Sequence, residues 1–169
     1  MKAKLIVTYD PNHFQSSKEE VENVLKEIGV KPKFQKSEVD GVFALDVPKA
    51  KEVVKKLTAL AKKKKKLFTR TFHYIPIEKW VKSEIKDMQN AIKPLVKKIG
   101  EKEKWKMDLA KRHYTKHDFK ELITGLTEVI DRKNVDLNKP KKIVKVEIIG
   151  KDAGISLLEP NELLIIPKI

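Results

Sequence analysis

The residues best equipped for chemistry in this chain are cations and their neighbours. Lys111, Arg112, His113, Tyr114, Thr115, Lys116 and His117 run consecutively. They set ammonium and guanidinium groups beside imidazole, phenol and hydroxyl. Such a mixture neutralises phosphates, donates hydrogen bonds and stacks on unpaired bases. The bland alternative is a plain loop between a strand and a helix. A denser run is Lys62, Lys63, Lys64, Lys65 and Lys66. Cations suit a helix C-terminus, where a well-placed charge opposing the dipole is worth about 0.3–1 kcal/mol. Five in a row exceed that need and repel one another, so phosphate contact is the favoured reading. Arg70 and His73, on the strand that follows, extend this cluster. Lys139, Lys141 and Lys142, around Pro140, form a third.

Other chemistries find no motif. The histidines are His13, His73, His113 and His117. His113 and His117 stand four apart but straddle a strand end and a helix start, with no third ligand at zinc spacing. The six glycines form neither a Walker A loop nor a dinucleotide fingerprint. No serine sits in a nucleophile elbow. Glu19 and Glu20 read as solvated charges on a helix face. The chain is therefore expected to be no enzyme and to need no cofactor or metal.

The charge balance supports a polyanionic partner. The 169 residues include 38 Lys or Arg against 24 Asp or Glu, a net charge of +14. A thermophile surface would also be rich in Lys and Glu, but it would be mixed in sign. Residues 1–75 carry 17 cations and 9 anions, residues 76–142 carry 18 and 11, and residues 143–169 carry 3 and 4. The last stretch is apolar and reads as buried sheet. Arg70, Arg112 and Arg132 are the sole arginines. Bidentate base readout is thus a small part of any binding, and lysine point charges suit RNA shape and backbone. The chain has no cysteine, which excludes disulfides, thiolate metal sites and a cysteine nucleophile. No apolar run approaches the ~20 residues of a membrane span, and the N-terminus lacks a signal peptide's apolar region. The expectation is a cytoplasmic protein with no membrane partner.

The elements that must position these residues follow from periodicity. Residues 5–9 read as an inner strand. A helix starts near Ser16 or Ser17, capped with Glu19 or Glu20 three residues on, and Gly29 stops it. Residues 33–36 and 42–47 pair around Asp40-Gly41. A second helix follows Pro48, and residues 67–75 form a strand. The order β-α-β-β-α-β is the ferredoxin-like, split βαβ arrangement, with two helices on one face of an antiparallel sheet. Residues 1–75 make that domain, and Pro76 marks its end. Residues 76–169 form the second domain. There a helical pattern begins at Glu78, with Trp80, Val81, Ile85, Met88, Ile92 and Val96 in phase and a break near residues 90–94 because of Pro94. Residues 105–111 are a strand, 118–130 a helix capped by Asp118 and Glu121, 134–140 a loop, and 143–149, 155–158 and 163–166 three strands. Trp80 and Trp105 read as core or interface residues. The fold class is α+β, the second domain being α/β with helices first and a mixed sheet.

This second half resembles the THUMP domain, an RNA-binding module of tRNA modification proteins. The resemblance lies in the strand ending at Lys111-Arg112, the helix 118–130, Val135-Asp136-Leu137 with Pro140, the strand Val146-Glu147-Ile148, and Gly154-Ile155-Ser156. It covers roughly residues 78–166. A ferredoxin-like domain commonly precedes the THUMP domain in this family. Members usually append a catalytic domain: a 4-thiouridine synthetase, methyltransferase, deaminase or pseudouridine synthase. With the chain ending at Ile169, the resemblance implies the adaptor type, which holds tRNA by the acceptor stem and 3′ end while a separate RNA cytidine acetyltransferase forms N4-acetylcytidine. Lys111 and Arg112 match the family's basic position. The lysines at 62–66 match no family motif. Two rivals stand beside the adaptor: a small RNA-modifying enzyme with an unrecognised site, and a structural rRNA- or nucleoid-binding protein.

Overall fold

The computed structural model describes residues 1–37 and 39–167. The end of the expected second domain, residues 168 and 169, lies outside them. The protein is mixed α+β, with two sheets and four α-helices among the described residues. It divides into two compact units, Lys2–Ile77 with the chain from Asn161 onward, and Glu78–Pro160 with Met1.

The first unit contains β1 (Leu5–Tyr9), α1 (Phe14–Glu27), β2 (Lys33–Gln35), β3 (Val42–Asp46), α2 (Ala50–Lys63) and β4 (Thr71–Pro76). The element order is the expected one. Its sheet runs β2-β3-β1-β4, every neighbour antiparallel. Alternate residues of a strand face one side, so Leu5, Val7 and Tyr9 meet the helices. They pack with Val21, Val24 and Leu25 of α1 and Val53, Val54 and Leu57 of α2. Burying each such aliphatic side chain contributes about 1.5–3 kcal/mol. Gly41, at φ +83°, closes the β2–β3 connection, where an added Cβ would lie 3.0 Å from the Tyr9 carbonyl.

Three details differ from expectation. α1 starts at Phe14, because Asp10 accepts from the Asn12 N–H and caps a 3-10 turn that runs straight into it. Ser17 is therefore no cap but is fully buried. The last strand starts at Thr71 and not residue 67, because residues Lys65–Leu67 form a further 3-10 turn. The C-terminal strand, β9 (Leu164–Ile165), pairs with β4 as a fifth strand of the first sheet. Residues read as the end of one second domain are thus part of the first unit.

The second unit contains β5 (Lys79–Lys82), α3 (Ile85–Val96), β6 (Trp105–Arg112), α4 (Phe119–Thr127), β7 (Lys142–Ile149) and β8 (Asp152–Leu158). Its sheet order is β5-β8-β7-β6. β6 and β7 are parallel and the other pairs antiparallel, so the sheet is mixed. α3 and α4 cover one face. Met88, Ile92, Leu122 and Leu126 pack there on Trp105, Val144, Val146 and Ile155. The helix expected from Glu78 is corrected: residues 79–82 are a strand held by β8, with Trp80 opposite Gly154. Of the two arrangements expected around Pro94, two helices or one kinked helix, the chain forms a single helix. α3 runs through this exposed proline and ends two residues later, so the lost N–H touches only its last turn. No helix among the described residues is long and apolar enough to cross a membrane.

Candidate nucleic-acid interface

β6 delivers the 111–117 cluster. Its last two side chains alternate in direction, as strand geometry requires. Lys111 is exposed, and its Nζ donates to the Tyr114 carbonyl at 3.3 Å. Arg112 turns to the sheet face opposite α3 and α4, its Nε 3.9 Å from Glu147 Oε1. There it ends a row of alternating charge. Lys145 Nζ lies 3.2 Å from Asp108 Oδ1 and 3.0 Å from Glu147 Oε2. Arg112 thus serves a structural row as well as any ligand.

The loop that follows is tied down. His113 holds a left-handed backbone, φ +53°, with its side chain exposed. Tyr114 is 9% exposed and packs in the α3/α4 core. Its hydroxyl donates to the Ser83 carbonyl at 3.1 Å, and Ser83 Oγ donates to the Gly150 carbonyl at 2.8 Å. Burial pushes the phenol pKa up. Tyr114 is therefore an anchor: of the stacking faces expected here, Tyr114 or a histidine, the tyrosine is packed away and His113 is exposed. Lys116 pairs with Glu84. That bond raises the Lys116 pKa and lowers that of Glu84. His117 Nδ1 lies 3.2 Å from Glu121 Oε2, and Asp118 with Glu121 closes a capping box on α4.

Exposed in this stretch are Lys111, His113, Thr115, Lys116, Asp118 and Lys120, together with Phe119, which is 51% exposed. Sequence periodicity assigns Phe119 to the buried stripe of α4. It sits at the first helical position, ahead of the core-facing Leu122 and Leu126, and its ring faces water. The accessible aromatic of this cluster is Phe119.

The structure does not gather the second unit's two basic clusters into one. Lys142 pairs in register with Trp105, the first residue of β6, whereas Arg112 is the last. Seven steps of parallel strand separate them, roughly 23 Å. At that other end Lys142 pairs with Glu103 at 3.2 Å, while Lys139 and Lys141 are exposed. Asp136 Oδ1 accepts the N–H groups of Asn138 and Lys139 at 2.9 and 3.0 Å and shapes the loop, which lowers its pKa. Lys102, Lys104 and Lys133 join this surface, since Asn134 Nδ2 donates to the Lys102 carbonyl and Lys141 N–H to that of Lys104. Sequence distance hid Lys102 and Lys104.

In the first unit, Lys62 and Lys63 end α2, Lys64 follows, and Lys65 and Lys66 lie in the 3-10 turn. All five are exposed, and Lys64 pairs with Glu27 at 3.6 Å. Arg70 is exposed beside them in sequence. His73 does not extend the run: it lies on the sheet face opposite the helices, its Nδ1 2.8 Å from Thr8 Oγ1. Glu20 is no solvated charge either. Its carboxylate accepts the backbone N–H groups of Thr69, Arg70 and Thr71 at 2.8, 2.9 and 2.9 Å.

No family model matches the chain, and no curated protein matches its sequence. Its fold does match solved structures. PH1313 from Pyrococcus horikoshii Ot3 aligns over 92% of this chain and 54% of its own, at 16% identity and a TM-score of 0.61. TrmN from Thermus thermophilus aligns over 90% and 44%, at 13% identity and 0.56. A Listeria monocytogenes protein described as a predicted N6-adenine-specific DNA methylase aligns over 92% and 40%, at 9% identity and 0.58. The chain spans about half the length of these proteins or less. At such identities the likeness is one of fold.

Proposed function

We propose that this chain is a tRNA-binding adaptor of the THUMP type. It grips the acceptor stem and 3′ end and presents them to a separate modification enzyme, an RNA cytidine acetyltransferase on the resemblance. Residues 2–77 act as its ferredoxin-like module, and the setting is the cytoplasm. The observation that carries the reading is the anchored 111–117 loop. Lys111, His113 and Lys116 are exposed on a backbone pinned by Tyr114, and Phe119 and Lys120 are exposed at the start of α4 that follows. A preorganised loop loses little entropy on binding. Its cations neutralise phosphates, and Phe119 stacks an unpaired terminal base. The fold shared with PH1313 and TrmN supports the THUMP assignment. Holding tRNA beside an enzyme raises its effective concentration there.

Electrophoretic shifts test this with intact tRNA, tRNA trimmed of its 3′ end, rRNA helices and duplex DNA. Tighter binding of intact tRNA is expected, with log affinity falling by roughly 0.7–0.9 per phosphate contact per decade of salt. Equal affinity for trimmed tRNA would remove end recognition. Indifference among all four would favour a structural nucleic-acid binder. Incubation with tRNA and acetyl-CoA or S-adenosylmethionine should leave the nucleosides unchanged, and a modified nucleoside would make the chain an enzyme.

A further inference from the structure

The lysine run at 62–66 borders an apolar groove. A cavity of about 740 Å³ lies between the end of α2 and β9, with Ala61, Phe68, Leu164 and Ile166 among its lining and Lys62 and Lys65 at its rim. β9 is the last strand of its sheet among the described residues. Ile166 N–H bonds the Phe72 carbonyl, and Ile165 lies opposite His73. Bonded and non-bonded pairs alternate in an antiparallel ladder, so the N–H and C=O of Ile165 point away from β4. Its side chain is 50% exposed. Groove, strand edge and cation rim therefore adjoin within one unit.

We infer that this groove takes an extended segment of a partner protein, its groove-facing positions apolar in the middle and acidic at the flanks, which adds as a strand beside β9. The strand edge offers Ile165's main-chain groups, and the cavity takes side chains from alternate positions. Carboxylates near the mouth pair with Lys62 and Lys65. A second copy of this chain fits poorly, because two lysine rims would face each other. A nucleic acid would meet the cations but has no peptide ladder for the strand edge. The inference concerns protein docking and stands apart from the tRNA reading.

The probe is a fluorescein-labelled peptide, Glu-Ser-Val-Ser-Leu-Ser-Glu, whose acids and apolar residues share one strand face, followed by anisotropy, with a version carrying Lys in place of each acid as control. Saturable binding of the acidic peptide alone is expected. The pair Lys62→Glu and Lys65→Glu should weaken it about fivefold or more. Ile165→Pro should do the same, since it deletes an outward N–H and edge strands tolerate proline. Ala61→Trp, which fills the cavity, should block the peptide too and serves if the proline variant fails to fold. Absence of saturable binding, equal binding of the lysine peptide, or indifference to all these variants would overturn the inference. So would loss of tRNA affinity in the Lys62/Lys65 variant without any peptide binding, which would give the groove to RNA.

Discussion

Glu20 on α1 holds Thr71 at the start of β4 by two bonds, its Oε2 accepting the backbone N–H at 2.9 Å and the hydroxyl at 2.7 Å. Its other oxygen accepts from Thr69 and Arg70. One carboxylate thus organises the turn by which the chain leaves the lysine run and enters the sheet. Without it, three N–H groups in a row lose the acceptor they share.

Glu20→Gln should therefore destabilise the protein by about 1–3 kcal/mol, because an amide offers one acceptor oxygen where the carboxylate uses two. Glu19→Gln, one residue away on an exposed position, should change stability by less than about 0.5 kcal/mol. Chemical denaturation of the two variants checks this. Equal effects would mean that the turn holds itself.

Lys145 occupies a 4% exposed site between the carboxylates of Asp108 and Glu147. Lys145→Met should cost about 3–5 kcal/mol, since among the described residues it leaves the 1% exposed Glu147 carboxylate with Arg112 alone, at 3.9 Å. Replacing Glu147 by Leu in the same chain removes the orphaned charge, so the double variant should recover much of the loss. Denaturation midpoints of single and double variants decide it.

Most elements were legible because their signals are local. The stripe of α2, the Asp118/Glu121 capping box and the alternation of β6 each fit within a dozen or so residues. What escaped is non-local. Trp80, Val81 and Ile85 satisfy a helical period, yet pairing with β8, some seventy residues on, makes residues 79–82 a strand. Glu20 looked solvated because its donors lie 49 to 51 residues away. The basic loop was visible as composition. Which of its aromatics is free depends on Ser83 and Gly150, which only the fold brings beneath Tyr114.

The loop at the far end of β6 should respond to acid. Asp136 accepts the N–H groups of Lys139 and Asn138, and these bonds hold its pKa below the usual carboxylate value, with Lys104 adding to the effect. A depressed pKa means that the ionised group favours the folded loop. That contribution is complete above the ordinary Asp range near about 3.9 and fades as pH falls through the lower folded value. The amide resonances of Asn138 and Lys139 should titrate together in NMR, with a midpoint below that of a model Asp peptide. A midpoint at the model value would show that the turn does not depend on the charge.

The last prediction separates anchoring from contact within the 111–117 loop. Tyr114→Phe keeps the packed ring but removes its bond to the Ser83 carbonyl, so it should lower stability by about 1 kcal/mol. tRNA affinity should fall only as far as the loop loosens. Phe119→Ala removes a half-exposed ring at the start of α4. It should change stability by less than about 0.5 kcal/mol, yet weaken tRNA binding by about 1–3 kcal/mol if a base stacks there. His113→Gly relieves a left-handed backbone and should be neutral or slightly stabilising. Any loss of tRNA affinity in that variant then belongs to the imidazole. Melting temperature and tRNA affinity, measured on all three, should split in opposite directions for Tyr114 and Phe119. If Tyr114→Phe costs more affinity than Phe119→Ala, the anchor itself is the contact, and the assignment of Phe119 as the stacking face falls.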